Sequence, residues 1–434
     1  MVQSTALLTD HYELTMVQAA LRSGTAERRS IFELYPRRLP DGRRYGVVAG
    51  TGRALEAVEH FCFDGQQLGF LRDTGVVDEP TLDWLGRFRF TGNISGYAEG
   101  DVYFPGSPLL VVESSFAEAV LLETLLLSIY NHDSAIASAA SRMTMAAEGR
   151  PCIEMGARRT HEQAGVASAR AAYIAGFTAT SNLQAGLEHG VPTRGTAAHS
   201  FTLLHDTERN AFQAQVESLG RGTTLLVDTY DIAEAVQTAV NIAGPELGAV
   251  RIDSGDLLQL AREVRSQLNS LGATSTRIIV TSDLDEFAIA SLAAAPVDGY
   301  GVGTSLVTGS GHPTCGFVYK LVARGSSAQA DAPLTPVAKR SVDKMSVGGR
   351  KWALRRRNAS GVAEEELIGV GAPPTDDGDD RPLMVELVRD GTVVGAEPID
   401  AARERHRRAI DELPIECHKL SRGQPGVPSR YLSG

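Results

Sequence analysis

Apolar residues between positions 151 and 305 alternate between short continuous runs and stretches with helical spacing. A continuous run is typical of a strand that is buried on both faces, as in a parallel sheet. Each run is followed by polar residues or glycine, and then by a helical stretch. The candidate strands are CIEMG (152–156), FTATS (177–181), TRGTA (193–197), TTLLVDTYD (223–231), GAVRIDSGD (248–256), TRIIVTSDLD (276–285) and DGYGVGTS (298–305). Seven consecutive units predict an irregular, incomplete α/β barrel rather than a closed barrel of eight.

The segments on either side of this region mix strands and helices. Residues 93–114 combine apolar residues with Gly and Pro, which predicts short β-strands. Helical spacing from 116 to 147 predicts one long helix. Near the other end, Asp390-Gly391 predicts the turn of a β-hairpin. The sequence AARERHRRAIDEL (401–413) predicts a charged helix.

The domain organisation follows from these patterns. We predict an α/β protein in which an N-terminal mixed α+β domain (1–148), including the long connecting helix, precedes the irregular barrel (149–325). The C-terminal segment (326–434) is expected to pack back on the N-terminal domain and complete it. Two segments rich in Pro, Gly, Ser or Asp, 325–336 and 372–382, predict loops.

Polar side chains and glycines gather where the predicted strands end, and in a barrel those ends share one face. Glycine with Ser or Thr before a helix can cradle a phosphate through backbone N–H groups. Arginines can neutralise a phosphate or carboxylate, and aspartates can bind Mg²⁺ or ribose hydroxyls. The face would carry Arg158, Arg159, Ser181, His199, Asp228, Arg251, Asp253, Ser282, Asp283, Gly301, Gly303 and Thr304. It therefore predicts an anionic sugar-phosphate substrate with a divalent metal.

Simpler interpretations remain open for several of these residues. An Asp before a helix is most often an N-cap, and we favour capping for Asp231, Asp256 and Asp285. His199 by itself is as well explained as a satisfied polar residue, and an Arg pair as a solvated one. The other histidines have no metal-ligand spacing, so the metal ligands stay unassigned. A functional site is favoured because the polar residues at the strand ends occur together on one predicted face.

Composition narrows the class of protein. Hydrophobic residues make up 43% and charged residues 22% of the chain, as in globular proteins. The net charge of −11 disfavours a protein that grips nucleic acid. No apolar run reaches the roughly 18 residues of a membrane span, and the N-terminal residues do not read as a secretory signal. The four cysteines have no CxxC spacing. We therefore expect a soluble, cytoplasmic protein that binds neither nucleic acid nor a membrane.

Nine short motifs, in order, resemble those of nicotinate phosphoribosyltransferases, which are type II phosphoribosyltransferases. The resemblance runs from about residue 7 to VAKRS (337–341), and more weakly through GRK (349–351). The motifs are TDHYELTM (9–16), YPRRLP (35–40), EMGARRTH (154–161), TSN (180–182), GTAAHSF (195–201), VDTYD (227–231), VRIDSGDL (250–257), TSDLDE (281–286) and YGVGTSLVT (300–308). Nine motifs in order are far more specific than any one of them.

The resemblance implies a homodimer with active sites shared between subunits. It also implies an ATP-dependent enzyme that joins nicotinate to 5-phosphoribosyl 1-pyrophosphate, with Mg²⁺ as the cofactor. The product would be nicotinate mononucleotide, in NAD biosynthesis from nicotinate. His199 falls where the family carries a histidine that becomes phosphorylated, and Asp228 resembles the acid beside it. Arg251 and Asp253 resemble the ribose and pyrophosphate contacts.

Other substrate contacts are implied in the same way. Tyr12 resembles the residue that stacks on the pyridine ring from the neighbouring subunit, and Arg158 resembles the arginine that faces carboxylate and phosphate. Ser181 stands where the nicotinamide-using relative carries an acid, and a neutral Ser favours nicotinate. The implied 5′-phosphate cradle consists of Ser282, Asp283, Gly301, Gly303 and Thr304.

Two positions depart from the family pattern. Met155 stands where members often have Phe, and Ala139 where they usually have Lys. If that lysine binds phosphate, Arg142 or Lys339 must compensate. Two other functions stay open. A lyase or aldolase acting on a sugar phosphate would need a Schiff-base lysine or a metal triad at a strand end, and the strand ends carry no Lys. A non-catalytic nucleotide sensor would bind without turnover.

Overall fold

The computed structural model describes residues 4–329, 331–339 and 346–433. The VAKRS motif continues past Lys339 into residues that lie outside these ranges. The α-helices are α1 (His11–Ser23), α2 (Thr51–Glu59), α3 (Gly65–Asp73), α4 (Glu79–Arg87), α5 (Phe116–Val120), α6 (Glu123–Ala146), α7 (Glu162–Ile174), α8 (Leu183–His189), α9 (His199–Leu204), α10 (Glu208–Leu219), α11 (Ile232–Ala243), α12 (Leu257–Ser270), α13 (Glu286–Ser291), α14 (Thr304–Val307) and α15 (Ile399–Asp411). None of these helices is both long and apolar enough to cross a membrane.

Most of the strands are short. They are β1 (Arg29–Pro36), β2 (Gly46–Val47), β3 (Asn93–Tyr97), β4 (Val102–Tyr103), β5 (Leu110–Ser115), β6 (Cys152–Glu154), β7 (Ala179–Thr180), β8 (Thr224–Leu226), β9 (Ala249–Ile252), β10 (Arg277–Thr281), β11 (Gly299–Val302), β12 (Phe317–Arg324), β13 (Thr335–Pro336), β14 (Lys351–Arg357), β15 (Ala363–Val370), β16 (Arg381–Pro382), β17 (Met384–Arg389), β18 (Thr392–Val393) and β19 (Ser429–Ser433). Short 3₁₀ turns cover Ala6–Leu8, Ala157–Arg159 and Ile415–His418.

One compact unit combines the residues up to Ala135 with those from Thr314 onward. Its largest sheet has seven strands in the order β13-β12-β1-β5-β3-β17-β18, in which β12 and β17 pair antiparallel with β1 and β3. Strands from the two ends of the chain therefore share one sheet. The rings of Phe32 and Tyr319 stack between β1 and β12, with centroids 5.0 Å apart.

The second unit, Ile136–Pro313, is built on a parallel sheet of six strands in the order β7-β6-β11-β10-β9-β8. Strands β8 and β7 form its two edges, so the sheet is an open half-barrel in a mixed α/β fold. Ile278 and Val280 of β10 are fully buried, as are Val250 and Ile252 of β9. Ile279 and Arg251 alternate with them on the other face, and each is only 9% exposed. The continuous apolar runs of the sequence therefore correctly predicted strands covered on both faces.

The compact units have boundaries at 135/136 and 313/314. The sequence interpretation placed its boundaries at 148/149 and 325/326 instead. The long helix α6 begins in one unit and ends in the other, which is why no pattern of apolar residues marks the first of these boundaries.

Two predicted elements were wrong in part. Segment TRGTA contributes only a parallel bridge between Thr193 and Thr180, because the chain then leaves the sheet and the Thr196 hydroxyl accepts a hydrogen bond from Arg251 instead. The predicted helix 116–147 is two helices, α5 and α6. The buried carboxylate of Glu13 accepts the Thr124 N–H at 3.0 Å, which satisfies a donor at the new helix start.

Several local predictions are confirmed. Strands β3, β4 and β5 occupy the region 93–114, and helix α15 occupies most of the charged stretch 401–413. Residues Asp390 and Gly391 join β17 to β18 with positive φ angles of 47° and 76°, as a tight hairpin turn requires. The two predicted loops are largely irregular where described, but each ends in a two-residue strand, β13 or β16.

Candidate active site

A cavity of about 200 Å³ opens at the carboxyl ends of four adjacent parallel strands, β6, β11, β10 and β9. These ends meet because parallel strands all point to the same edge of a sheet. The lining residues are Met155, Arg158, Arg159, Arg251, Asp253, Thr281, Ser282, Asp283, Gly301, Gly303 and Thr304. Most of them are polar or charged, and two are glycines that leave backbone atoms exposed to the cavity.

The structure brings together most of the residues that the sequence predicted for a site. Nine of them line this cavity, namely Arg158, Arg159, Arg251, Asp253, Ser282, Asp283, Gly301, Gly303 and Thr304. Thr281 also lines it and was missed, because its hydroxyl belongs to the last residue of β10 rather than to the polar cluster after it. Its side chain lies on the same face as the ones that were predicted.

The turn after β10 has an unusual backbone. Ser282 and Asp283 adopt φ angles of 110° and 37°, a region that favours glycine. Asp285 then caps α13 by accepting the N–H groups of Phe287 and Ala288. Backbone strain of this kind persists where the surrounding structure enforces it, often at a ligand site. The turn at Ser282–Asp283 is suited to present N–H groups to an anion.

On the neighbouring strand, Gly301 is required by close packing. A Cβ atom at this position would lie 2.4 Å from Thr281 Cγ2 and 2.8 Å from Met155 Sδ. Any larger residue would push against one of these cavity-lining side chains. Met155 therefore packs directly over the strand, at the position where an aromatic ring was expected.

His199 begins α9 and faces two carboxylates beside the cavity. Its Nδ1 atom lies 3.1 Å from Thr229 Oγ1, within hydrogen-bond distance. Its Nε2 atom lies 3.9 Å from Asp228 Oδ1 and 3.8 Å from Asp253 Oδ2. Since Asp253 lines the cavity, the imidazole is adjacent to it. Thr229 belongs to the motif VDTYD at a predicted strand end, but no role was predicted for it.

The two oxygens of Asp228 differ in their surroundings. Oδ2 accepts the backbone N–H of Asp253 at 3.0 Å and the hydroxyl of Ser254 at 2.6 Å. Oδ1 is buried and accepts no hydrogen bond from any residue that the structure describes. A buried carboxylate oxygen without a donor costs free energy, about 1–3 kcal/mol or more. This oxygen is the one that faces His199, so it can still bind a cation or accept a hydrogen bond.

Arg251 is almost entirely occupied by protein contacts. Its guanidinium donates to Thr281 Oγ1 at 3.0 Å and to Thr196 Oγ1 at 2.6 Å, and Nη2 lies 3.1 Å from Asp253 Oδ2. It therefore ties the end of β9 to β10 and to the segment that precedes His199. The only cavity residues that carry an exposed positive charge are Arg158 and Arg159, and neither has an ion pair with another described residue.

Four other residues considered from the sequence lie outside the cavity lining. Ser181 is exposed after β7, where its N–H donates to the Glu154 carbonyl at 2.8 Å. Arg142 is buried and bonds Glu286 at 3.0 Å. Lys339 is exposed. Tyr12 belongs to the other compact unit, where its side chain is 42% exposed. Burial and then the nearby Glu123 carboxylate raise the pKa of Tyr12 to about 12.

Three expected N-caps are confirmed. The side chains of Asp231, Asp256 and Asp285 each accept a backbone N–H in the first turn of α11, α12 and α13. Their carboxylates are therefore used by the fold, as the simpler interpretation held. The acids that remain in or beside the cavity are Asp228, Asp253 and Asp283.

Ligands for a metal ion are few at the cavity. Among the described residues, the group of acids that converges closely enough to bind an ion by itself is Asp376, Asp377 and Asp380, in the other unit. Arg356 pairs with Asp377 at 3.2 Å and with Asp380 at 3.0 Å, which neutralises this cluster. At the cavity, Asp253 and the free oxygen of Asp228 fit the sparse carboxylate set that Mg²⁺ uses together with substrate phosphates.

Comparison with known proteins places these features in a family context. The family described as nicotinate phosphoribosyltransferase (NAPRTase) N-terminal domain matches residues 7–131. Nicotinate phosphoribosyltransferase pncB1 of Mycobacterium tuberculosis is 58% identical, over 98% of this chain and 95% of that protein. Nicotinate phosphoribosyltransferase of Bacillus subtilis is 37% identical, over 82% of this chain and 74% of that protein.

A solved structure agrees with these sequence matches. The crystal structure of human nicotinic acid phosphoribosyltransferase superimposes with a TM-score of 0.82 at 25% sequence identity. The match covers 97% of this chain and 97% of the human one. The similarity therefore extends over both compact units rather than over the half-barrel alone.

Proposed function

Because this chain belongs to the nicotinate phosphoribosyltransferase family, we propose that it joins nicotinate to C1 of 5-phosphoribosyl 1-pyrophosphate. The products are nicotinate mononucleotide and pyrophosphate, and the reaction serves NAD biosynthesis from nicotinate. The observation that carries the proposal is the cavity where two exposed arginines, the strained Ser282–Asp283 turn and the His199–Asp228 pair occur together. The transferase reaction needs an anion-binding pocket, which this cavity supplies, and His199 beside the cavity supports coupling to ATP.

The transferase chemistry demands charge stabilisation more than proton transfer. Displacement at the anomeric carbon develops positive charge on the ribose while pyrophosphate leaves. The pyridine nitrogen of nicotinate is already a nucleophile, so no general base is required. Arg158 and Arg159 are suited to neutralise the phosphate and carboxylate groups, and the turn at Ser282–Asp283 with Gly301, Gly303 and Thr304 is suited to hold the 5′-phosphate. Positioning and electrostatics then supply the catalysis.

We further propose that ATP hydrolysis is coupled through His199. The terminal phosphoryl group of ATP passes to an imidazole nitrogen and ADP leaves. Water later releases inorganic phosphate from the phosphohistidine. Thr229 at Nδ1 and the two carboxylates facing Nε2 hold the ring in a fixed orientation. Phosphorylation would add negative charge and three acceptor oxygens beside the cavity, where it would help to order substrate and metal.

Asp253 and the free oxygen of Asp228 are the groups that would hold Mg²⁺ in this scheme. The ion, when bound, would neutralise charge on the leaving pyrophosphate. The contribution of the chain itself is to keep both carboxylates in place. Arg251 does so for Asp253, and the Ser254 hydroxyl does so for Asp228.

The quaternary structure that we propose is a homodimer with shared active sites. Helices α8 and α9 leave large apolar side chains in solvent, which favours a protein partner. These side chains are Leu183 (76% exposed), Leu187 (81%), Leu203 (61%) and Leu204 (78%). A second subunit covering them would bring its Tyr12 to stack on the pyridine ring. Ser181, exposed at the start of α8, would then favour nicotinate over nicotinamide, because it places no negative charge against the carboxylate.

We also propose that the half-barrel is best described as an incomplete α/β barrel. The parallel bridge at Thr193 supports this description, because it extends the sheet beyond β7 by the remnant of a seventh strand. A cytoplasmic location stays a prediction.

The proposed function is tested by incubating the purified protein with Mg²⁺, phosphoribosyl pyrophosphate and nicotinate, with and without ATP. Nicotinamide and quinolinate serve as alternative bases. We expect nicotinate mononucleotide, with ATP raising the yield and ADP appearing alongside. His199→Asn should lose the ATP effect, whereas His205→Asn, at the end of the same helix, should keep it. Product without any ATP effect would remove the phosphohistidine, and no product from any base would contradict the transferase.

The alternative functions are less well supported. A Schiff-base lyase needs a lysine, and the cavity lining contains none. A nucleotide sensor would bind phosphoribosyl pyrophosphate without turnover. In that case the same incubation would yield no product while calorimetry still detected binding.

A further inference from the structure

Glu154 is a buried carboxylate that neither lines the cavity nor forms an ion pair with another described residue. It is the last residue of β6, and its side chain is 0% exposed. Burial raises the pKa of its carboxyl group. An acid at a position fully covered on both faces of a parallel sheet is unusual, because burying it without partners is costly. Its hydrogen bonds show where that cost is offset.

The carboxylate of Glu154 bonds two separate segments. One oxygen accepts the backbone N–H of Gly156, and the other accepts the hydroxyl hydrogen of Thr180. The backbone N–H of Ala157 also contributes a hydrogen bond. The main-chain carbonyl of Glu154 accepts the N–H of Ser181 at 2.8 Å. One residue therefore connects the turn after β6 to the turn after β7.

Each of these turns carries a residue assigned to the base-binding side of the proposed site. Gly156 opens the 3₁₀ turn Ala157–Arg159, so its position determines where Arg158 stands. Thr180 precedes Ser181, and its Oγ1 also accepts the Asn182 N–H at 2.9 Å. Movement of either turn would change the distance between Arg158 and Ser181.

The turn at Gly156 also packs against the strand end that carries the phosphate cradle. A Cβ atom at Gly156 would lie 2.4 Å from Val307 Cγ1, 2.8 Å from the Gly303 carbonyl oxygen and 3.2 Å from Glu154 Oε1. Close packing therefore holds this turn together with the hydrogen bonds of Glu154. The carboxylate of Glu154 is the group that connects the turn to Thr180, the neighbour of Ser181.

We propose that Glu154 is a positioning residue for the nicotinate-binding groups. Its carboxylate sets the spacing between Arg158 and Ser181, and so determines how well the site receives the carboxylate of the base. This inference rests on the proposed function, because it uses the roles assigned there to Arg158 and Ser181. In this inference Glu154 touches neither substrate and acts through the turns after β6 and β7.

The test compares steady-state kinetics of Glu154→Gln, Thr180→Val and Thr180→Ser with the wild type. Gln preserves the size of the side chain and one acceptor, but its amide group cannot accept the Thr180 hydroxyl hydrogen. We expect KM for nicotinate to rise about tenfold in Glu154→Gln, the effect of weakening one buried hydrogen bond to a charged group. KM for phosphoribosyl pyrophosphate and kcat should change less than about threefold, because the carboxylate of Glu154 bonds Gly156 and Thr180 and no residue of the phosphate cradle.

Thr180→Val should shift KM for nicotinate in the same direction, because it removes the hydroxyl that Glu154 accepts. Thr180→Ser keeps that hydroxyl and should restore KM to within about twofold of the wild type. The matched control is Glu286→Gln, which makes the same change in another buried carboxylate of the same unit. Glu286 bonds Arg142 and Ser310, outside the cavity lining, so its variant should lose thermal stability without a selective change in KM for nicotinate.

The outcomes separate the inference from the function it rests on. A wild-type protein that forms no nicotinate mononucleotide refutes the proposed function, and this inference with it. An active wild type with unchanged KM for nicotinate in Glu154→Gln and Thr180→Val refutes the inference alone. The inference is also refuted if Glu154→Gln raises KM equally for both substrates and lowers the melting temperature as Glu286→Gln does. That result would make Glu154 purely structural.

Discussion

The Nε2 atom of His199 lies 3.9 Å from Asp228 Oδ1, a buried oxygen that accepts no hydrogen bond from the described part of the chain. The other oxygen of the same carboxylate is fully used by the Asp253 N–H and the Ser254 hydroxyl. Asp228 is therefore fixed in orientation by one oxygen and directs the other at the imidazole. A carboxylate held in this way keeps a negative charge beside the imidazole.

Asp228→Asn should separate these two functions of the carboxylate. The amide oxygen of Asn can still accept both hydrogen bonds of Oδ2, while the charge facing His199 is lost. We expect phosphorylation of His199 by ATP, measured by mass spectrometry, to fall about ten- to a hundredfold, or roughly 1.4–2.8 kcal/mol. The melting temperature should change little.

The control for this variant is Asp231→Asn, three residues along the same segment. Asp231 caps α11 by accepting the Glu234 N–H at 2.8 Å, and Asn is an equally good N-cap. His199 in the Asp231→Asn variant should be phosphorylated to the same extent as in the wild type. Equal losses in the two variants would show that the segment responds to any Asp→Asn change and that Asp228 has no special relation to His199.

Ser282→Gly should stabilise the protein relative to Ser282→Ala. Both variants remove the hydroxyl, but only Gly relieves the φ angle of 110°. Strain of this kind costs about 1–3 kcal/mol, of which the flexibility of Gly in the unfolded chain cancels roughly 0.5–1 kcal/mol. A net gain of about 1 kcal/mol should raise Tm by about 1 °C in differential scanning calorimetry.

The same pair of variants tests how the turn binds phosphate. If backbone N–H groups hold the 5′-phosphate, Ser282→Gly should keep KM for phosphoribosyl pyrophosphate within about twofold of the wild type. A lower Tm for Gly than for Ala would show that the turn is not strained. A large rise of KM in both variants would assign the contact to the hydroxyl instead.

Much of the half-barrel could be predicted from the sequence because its strands are short apolar runs that end in polar residues. Residues at those ends share an edge of the sheet by geometry alone, which is why nine of the predicted residues line one cavity. The prediction for the segment TRGTA was wrong in part, because Thr and Gly fit a strand or a loop equally well. In the structure Thr196 bonds Arg251, which is 55 residues away in sequence, and the segment leaves the sheet.

Contacts distant in sequence also explain what else was missed. The apolar spacing continues unbroken through Leu121 and Leu122, yet a new helix begins at Glu123, where Glu13 accepts the N–H of Thr124. Glu154 could have been suspected, since a single acid inside the strand CIEMG conflicts with its burial. Its partners, Gly156 and Thr180, could not be identified before the turns after β6 and β7 were placed side by side.

His406 should make stability dependent on pH below neutrality. It is buried on α15, and burial, followed by the nearby Arg403, lowers its pKa from 6.5 to about 4. Between these two values the unfolded chain binds a proton that the folded chain does not. The free energy of unfolding contributed by this group is therefore complete above pH 6.5 and falls by roughly 3 kcal/mol as the pH drops to about 4.

The measurement is urea unfolding of the wild type and of His406→Gln at several pH values. Because Gln does not titrate, the difference between the two proteins isolates this residue from other groups. The variant should show the shallower loss of stability on acidification. His418→Gln replaces an exposed histidine and should keep the wild-type slope. Parallel pH profiles for the wild type and His406→Gln would show that His406 is protonated equally in both states.

Gly301→Ala should narrow the cavity, and a second substitution should reopen it. The added Cβ would lie 2.4 Å from Thr281 Cγ2 and 2.8 Å from Met155 Sδ. Met155 can rotate away, but the β-branched Thr281 is stiff. We expect about 1–3 kcal/mol of destabilisation and a rise of about tenfold in KM for phosphoribosyl pyrophosphate. Thr281→Ser removes Cγ2 and keeps the hydroxyl that bonds Asp253 and Arg251, so the double variant should recover most of the loss.

A double-mutant cycle measures the coupling between Gly301→Ala and Thr281→Ser. The control is Gly299→Ala on the same strand. Its added Cβ would lie 3.0 Å from Ile279 Cδ1, the flexible end of that side chain. Additive effects of Gly301→Ala and Thr281→Ser would contradict this account of the packing.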